Sequence, residues 1–430
     1  MLRLAQVGLR GFGRIHLERI DRLVGMGRIE LVAGADPAGP ESGRAIVCYD
    51  SLDELLARHQ VDIVSIATPI GTHMALASQA LAAGAHVMLE KPPVASLDEF
   101  WDLAELSHRS GLSVQVGFQS LGGGGIARMR QLAGISTGVV AAPKPSRAGR
   151  SRPGDEPLAA VLGEITSIQV WGMWQRDLAY FKRARWAGHR VLDGRRVADG
   201  VCTNALAHSI ATACRIVSLT SIAEIASIET ELYHCFDTAS DDTSWLRVNR
   251  AGGPFASVPI DVSLTLCGPR AESPTVTLVG TDGWAELSYT TDVVRWQTRA
   301  ESSDASDGSL YADPHHSANG SPAGLVHTEQ HPRTDLLENL VDHIETNEPL
   351  LVPLPETIGF MAVLEATQSV PDPRPIPGEF LTWHGQGDQA HPVPEDIEAW
   401  QHRCLAEGQG YAAAGAPWAT DQAHHVWVPR

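Results

Sequence analysis

Short apolar runs and helical stretches alternate through the first 120 residues, and that alternation most restricts the fold. Leu2–Val7 is an apolar strand that stops at Gly8, residues 15–23 have helical spacing, and Ile29–Ala35 is a second strand closed by Asp36-Pro37. Residues 52–59 read as a helix, with Ser51 as its N-cap and Glu54 three residues on. Residues 61–67 are almost continuously apolar, as a strand buried on both faces requires. Helix, strand, helix and strand then follow at 74–83, 85–89, 98–109 and 113–117. Such a series predicts a parallel sheet with right-handed crossovers.

The chemistry-bearing residues sit at the carboxyl ends of those strands, where open α/β sheets bind ligands. Gly8-Leu9-Arg10-Gly11-Phe12-Gly13 follows the first strand and opens the first helix. It departs from Gly-x-Gly-x-x-Gly because Arg10 stands at the second glycine and Gly11 follows it. Glycines there let backbone approach a pyrophosphate, with the helix N-terminus facing it. Asp36, 23 residues after Gly13, ends the second strand, where an acid can bond ribose hydroxyls and repel a 2′-phosphate. Thr68-Pro69 with His73 follows the next strand, and Glu90-Lys91-Pro92 the one after. Together these residues predict a Rossmann dinucleotide-binding domain over 1–120.

The remainder reads differently. A chain of 430 residues suggests at least two domains. Strand-like stretches at 164–174, 222–236, 243–249, 259–266, 275–279 and 284–289 surround one clear helix at 205–217. We expect an α+β domain over 121–370 with a large open, mostly antiparallel sheet. It carries a flexible insertion at about 134–157 and a polar loop at about 300–332. Helices are expected at 334–345 and 357–367, then a C-terminal extension, 371–430, packing on the body with a helix near 394–407.

Composition narrows the partners. The net charge of −18 argues against nucleic acid, which needs a basic face. Six cysteines show no Cys-x-x-Cys pair and read as reduced, mostly buried thiols. Cys202 and Cys214 read as small apolar residues, not nucleophiles. No apolar run reaches the length of a membrane span, and the N-terminus lacks a signal-peptide pattern, so a cytoplasmic protein is expected.

Gly8…Gly13-Arg14-Ile15-His16, Ala67-Thr68-Pro69 with His73, Glu90-Lys91-Pro92 and Val116-Gly117-Phe118-Gln119 resemble the glucose–fructose oxidoreductase / inositol dehydrogenase (Gfo/Idh/MocA) family. The resemblance is strong over 1–120 and looser beyond, through Asp241-Asp242-Thr243 and 280–284. It implies a nicotinamide cofactor, a sugar or cyclic polyol substrate, and a homodimer or homotetramer formed through the open sheet. The implied cofactor contacts are Gly8, Arg10, Gly11, Phe12, Gly13, Asp36, Thr68, Pro69, His73, Glu90, Lys91 and Gln119. NAD is expected, with NADP the alternative.

The family's second catalytic element is Asp-x-Gly-x-His at a helix start. The matching residues are Asn204-Ala205-Leu206-Ala207-His208, so His208 is kept while Asn204 replaces the acid and Leu206 the glycine. Four-residue spacing puts Asn204 and His208 on one helix face. His208 can take a hydroxyl proton, whereas Asn204 can only bond a hydroxyl or orient His208. Lys91, partly buried beside the nicotinamide, would polarise the hydroxyl or relay its proton. Upstream, Tyr180, Arg183 and Trp186 suit a sugar face and its polar groups. Trp171 and Trp174 read as sheet residues first. His315-His316 and His331, near Asp313, are too scattered to predict a metal, and none is expected. The predicted activity is NAD(P)-dependent hydride transfer at a secondary hydroxyl carbon. The alternatives are an NAD-assisted glycoside hydrolase or lyase working by transient oxidation, and a non-catalytic dinucleotide sensor.

Overall fold

The computed structural model describes residues 1–41, 45–135, 161–298 and 325–429. They form two compact units. The first holds Met1–Gly122, Arg190–Ala198 and Thr334–Glu365; the second holds Gly123–His189, Asp199–Arg333 and Ala366–Arg430.

The first unit is built on β1 (Leu2–Val7), α1 (Phe12–Gly25), β2 (Ile29–Ala35), β3 (Cys48–Tyr49), α2 (Leu52–Leu56), β4 (Ile63–Ile66), α3 (His73–Ala82), β5 (His86–Leu89), α4 (Leu97–Ser110) and β6 (Val114–Val116). Its sheet has the order β3-β2-β1-β4-β5-β6, with every pair parallel. The order reverses beside β1, between β1 and β4, which is the topological switch point where such sheets bind ligands. Caps set the helix starts. Ser51 Oγ accepts from the Glu54 amide at 3.3 Å and Ser96 Oγ from the Glu99 amide at 3.2 Å. The chain later returns to this sheet. Gln115 Nε2 donates to Asn339 Oδ1 at 2.7 Å, and the Val116 amide to the Val352 carbonyl at 2.9 Å.

The second unit begins with α5 (Gly125–Leu132), β7 (Ile165–Met173) and α6 (Leu178–Lys182). A small hairpin, β8 (Val191–Leu192) and β9 (Arg195–Arg196), belongs to the first unit. The second unit resumes with α7 (Ala207–Ile216), β10 (Ile225–His234), β11 (Thr243–Arg250), β12 (Ile260–Thr265), β13 (Thr275–Gly280), β14 (Gly283–Ser288), β15 (Val293–Thr298) and β16 (His327–Gln330). After α8 (Leu336–Thr346) and α9 (Ile358–Ser369) come β17 (Arg374–Pro375), β18 (Leu381–His384), β19 (His391–Pro394), α10 (Ile397–Glu407), α11 (Tyr411–Ala414) and β20 (His424–Trp427).

The large sheet is 10-stranded, with the path β16-β15-β14-β13-β7-β12-β11-β10-β17 and β20 paired to β10. It is mostly antiparallel; β7/β12 and β10/β17 run parallel. Side chains alternate between its faces. One face carries Ile168, Val170 and Leu264 and packs against α7, with Gly172 leaving room for Leu206 and Leu264. The other carries Trp171, Tyr233, Trp245 and Ser263. It is covered by the C-terminal segment: Trp171 stacks on His402 with centroids 5.4 Å apart, Ser263 bonds Tyr411 at 2.8 Å, and Cys404 and Trp418 join the Tyr233–Trp245 cluster.

Within the stretch read as a polar loop at 300–332, His327–Gln330 forms strand β16. Its residues pair in register with β15, and the His327 ring stacks on Trp296 at 4.0 Å, contacts no local pattern reveals. Residues 136–160 and 299–324 are not described, so most of the insertion at 134–157, and Asp313, His315 and His316, lie outside the described residues.

Candidate functional site

The glycine turn is shaped by steric exclusion. Gly8 has φ +81°, and a Cβ there would meet the Ala67 carbonyl oxygen at 2.2 Å. A Cβ on Gly13 would meet the Gly8 carbonyl oxygen at 2.2 Å, so α1 can pack against the turn only with glycine at that place. Gly11 precedes α1 without a side-chain cap. Arg10 and Phe12 are exposed at the turn, and Arg10 donates to the Ala38 carbonyl at 3.3 Å. Asp36 ties the turn to the end of β2. Its carboxylate accepts the Leu9 amide and the Ala38 amide, each at 2.9 Å. Asp36 therefore supports the glycine turn.

Behind Lys91 lies a buried polar cluster. His16 Nε2 is 2.8 Å from Glu90 Oε1, and His16 Nδ1 is 3.0 Å from Ser65 Oγ. Glu90 Oε2 accepts the Lys91 amide at 3.0 Å. Burial pushes the Glu90 carboxyl up, but the hydrogen bond and charge of His16, with the charge of Lys91, together hold it below its ordinary value. Glu90 was expected at the cofactor. Its side chain instead turns inward and fixes the backbone that carries half-buried Lys91.

His73 does a similar job at the next strand end. Its Nε2 lies 2.8 Å from the Thr68 carbonyl and its Nδ1 2.9 Å from the Pro92 carbonyl. Full burial lowers its pKa against those two acceptors, so the neutral ring donates to one carbonyl at a time. It clips the Thr68-Pro69 turn to the segment after Lys91. Thr68 Oγ1 bonds Thr72 Oγ1 at 2.7 Å, which in turn donates to the Pro69 carbonyl. Gln119 begins a short turn after β6, and its Nε2 is buried without a hydrogen-bond partner among the described residues.

These features fit a dinucleotide: two glycines that no side chain can replace, an uncapped helix N-terminus, and an orphaned buried amide donor.

In the second unit, Tyr180, Arg183, Trp186 and Asn204 are organised around a carboxylate that sequence reasoning missed. Asp199 is 5% exposed. Its oxygens accept from Arg183 Nη2 at 2.8 and 2.9 Å, from the Gly188 amide at 2.7 Å, and from Asn204 Nδ2 at 2.5 Å. The Arg183 guanidinium lies 3.8 Å from the Tyr180 ring centre and 4.6 Å from that of Trp186. Burial, then the charge of Asp199, raises the Tyr180 pKa, with Arg183 and Arg176 opposing. His208 is half-buried on the first turn of α7, and its ring stacks on Tyr289 at 6.3 Å.

The helix start differs from expectation. Val201–Ala205 forms a π-helical turn, Leu206 leaves helical geometry (φ −108°, ψ 22°), and α7 begins at Ala207. Asn204 and His208 therefore do not share one face of a regular helix. The cause is local packing: Gly200 is pressed against Asp241, where a Cβ would meet Oδ1 at 2.1 Å, while Thr203 Oγ1 accepts the Gly200 amide and Asp199 holds Asn204. Such π-turns collect at functional sites.

His16 entered the sequence reading only as part of the glycine-turn motif, and Ser65 and Asp199 carried no distinctive signal. Each is one polar residue in an ordinary context, and only the fold brings its partners close. Trp171 is a buried sheet residue, whereas Trp174 supports Arg176. Among the described residues, one cluster has metal-ligand chemistry: Cys235, Asp242 and Cys267, with ligand atoms within 4.8 Å of one another. Asp242 already accepts the amides of Cys235 at 2.7 Å and Phe236 at 3.0 Å, and burial pushes the Cys235 thiol up to about 11. It is a buried polar network of protonated thiols. All six cysteines are free, and burial pushes Cys214 up to about 12.

The comparisons agree with this geometry. Residues 4–118 match the family model described as "Oxidoreductase family, NAD-binding Rossmann fold". Over 120 residues the chain is 38% identical to glycosyl hydrolase family 109 protein 2 of Shewanella sp. (strain ANA-3), covering 25% of this chain and 26% of that protein. It is 33% identical over 119 residues to UDP-N-acetylglucosamine 3-dehydrogenase of Acidithiobacillus ferrooxidans, covering 27% of this chain and 36% of that protein. The chain thus matches about a quarter to a third of these relatives' length. The fold resembles the WlbA dehydrogenase from Bordetella pertussis, solved with NADH and UDP-GlcNAcA, at TM-score 0.60 and 16% identity over 86% of this chain and 95% of that one. Residues 4–118, where the glycine turn, Asp36 and Glu90-Lys91-Pro92 lie, thus match the Gfo/Idh/MocA family model with its NAD-binding Rossmann fold.

Proposed function

We propose that this protein is an NAD-dependent oxidoreductase acting on a secondary hydroxyl carbon of a sugar or cyclic polyol. The observation that carries the reading is the buried His16–Glu90 pair, which holds the Lys91 backbone at the end of β5 in a Rossmann sheet. NAD, when bound, supplies the hydride acceptor. Asp36, the glycine turn and Gln119 would hold it. His208 takes the hydroxyl proton as the C–H bond breaks, and Lys91 polarises the oxygen or relays that proton. Asn204, its Nδ2 bonded to Asp199, would bind a substrate hydroxyl or orient His208. Tyr180 and Trp186 offer ring faces to the sugar.

The relationship to family 109 glycosyl hydrolases supports a second reading, transient oxidation followed by elimination of a glycosidic group and return of the hydride. One assay separates them. The purified protein is given NAD and a panel of free and nucleotide-linked sugars, and absorbance at 340 nm is followed beside glycoside release. Net NADH formation supports oxidation; release without net NADH supports the hydrolase; neither, with intact NAD binding, supports the sensor.

Free thiols fit a reducing, cytoplasmic setting. Association into a homodimer or homotetramer would use sheet surface beyond the part of β7, β12, β11 and β10 that the C-terminal segment covers. Light scattering in solution tests it. Among the described residues, no helix is long and apolar enough to cross a membrane.

A further inference from the structure

We propose that the Arg176 guanidinium is a subsite for an anionic group on the substrate, a carboxylate or a phosphate. The inference rests on the oxidoreductase reading, because it names a substrate class for the same site.

The chain leaving β7 builds an alternating ladder of rings and cations. Arg176 lies 4.5 Å from the Trp174 ring centre and 5.1 Å from that of Tyr180. Arg183 lies 3.8 Å from Tyr180 and 4.6 Å from Trp186. The two arginines share the Tyr180 ring, but their charges are treated differently. Asp199 neutralises Arg183 through two contacts at 2.8 and 2.9 Å. Among the described residues no ion pair joins Arg176 to a carboxylate, and its side chain bonds the Gln175 carbonyl at 3.2 Å and the Tyr180 hydroxyl. Its Nε is closed off from solvent without an acceptor.

A guanidinium carries five N–H donors in one plane. Ring faces beside Arg176 leave its edge as the surface that can form hydrogen bonds. That edge matches two oxygens of a carboxylate or phosphate, and a weakly hydrated guanidinium gives up water for them more readily than an ammonium does. The site is linked to the proposed hydroxyl-binding residue. Arg176 shares Tyr180 with Arg183, Arg183 is bound by Asp199, and Asp199 holds Asn204. In a chain of net charge −18, a cation left without a local acid selects for an opposite charge on the ligand. The substrate is thereby an acidic sugar: a uronic acid, or a sugar carried on a nucleoside diphosphate.

The test uses the full chain loaded with NAD and four probes: D-glucuronate, D-glucose, UDP-N-acetylglucosamine and N-acetylglucosamine. Binding is read by calorimetry and by tryptophan fluorescence, since Trp174 and Trp186 flank the arginines. Wild type should bind one anionic probe at least about tenfold more tightly than its neutral counterpart, and the preference should shrink as salt rises. Which pair shows it distinguishes carboxylate from phosphate. Arg176→Gln should erase the preference while leaving NAD affinity and Tm close to wild type. Arg176→Lys should restore more of it for the diphosphate than for the carboxylate. No anionic preference in wild type, or a preference that survives Arg176→Gln, overturns the subsite. If neutral sugars still reduce NAD in that case, the oxidoreductase reading stands alone. If Arg176-dependent anion binding is found with no NAD-linked turnover, the subsite stands and the oxidoreductase reading falls.

Discussion

Asn204 Nδ2 lies 2.5 Å from Asp199 Oδ1, so the residue that stands at the acid's position in the Asp-x-Gly-x-His pattern is held by a carboxylate five residues earlier. The amide orientation follows, because a carboxylate cannot donate and only the NH₂ side can face it.

The first prediction follows from that contact. Asn204→Asp would set two carboxylates against each other in a half-buried setting, costing about 1–3 kcal/mol of stability near neutral pH. One of the pair would hold its proton, with a raised folded-state pKa. The deficit should therefore be small below about pH 4, where unfolded carboxyls are also protonated, and grow as pH rises. Thermal melts of wild type, Asn204→Asp and Asn204→Ala across pH 4–8 check this. A variant with wild-type melting at pH 7 would mean that Asp199 does not hold residue 204 in solution.

Cofactor choice provides a second check. Asp36, which we propose meets the ribose, should repel a 2′-phosphate, so NAD should bind at least about tenfold more tightly than NADP. Asp36 also accepts the Leu9 and Ala38 amides, so Asp36→Ala should narrow the preference and weaken NAD itself. Calorimetric titration of both cofactors decides; tighter NADP binding by wild type would refute the assignment.

The third prediction divides the chemistry. Lys91→Ala and His208→Ala should each lower hydride transfer by about two to four orders of magnitude, the usual size for a lost acid–base group. His208→Ala should keep NAD affinity. Asn204→Ala should act mainly on KM. Single-turnover NADH formation with whichever sugar proves active is the readout, and unaltered turnover in His208→Ala would transfer the proton to another residue.

A fourth concerns pH and stability. Burial depresses the His73 pKa, so below about pH 6.5 the unfolded chain takes up a proton that the folded chain resists. Its stabilising contribution is complete above that pH and declines as pH falls toward the depressed folded value. His86 shifts in the same direction, also through burial, and adds to the trend. Melting temperatures from pH 8 to 5 should fall, and His73→Asn should flatten the slope. An equal slope in the variant would remove His73 as a cause.

The parallel N-terminal sheet was readable because each of its signals is local. Apolar runs, Ser51 before Glu54, and the glycine turn directly after β1 all lie within a few residues. The positions of Lys91, Asp36 and His208 followed from strand ends and motif spacing for the same reason. What no local pattern could supply was the set of partners. His16 and Glu90 are 74 residues apart, and strand β16 exists only because it pairs with β15. The π-turn at Val201–Ala205 contradicted the helical spacing: Gly200 packs against Asp241 and Asp199 holds Asn204, contacts that no local pattern carries. By itself the sequence determined the elements and the residue types at their ends. The tertiary structure alone decided which buried polar groups face each other, since hydrogen bonds and desolvation act between atoms brought close by folding.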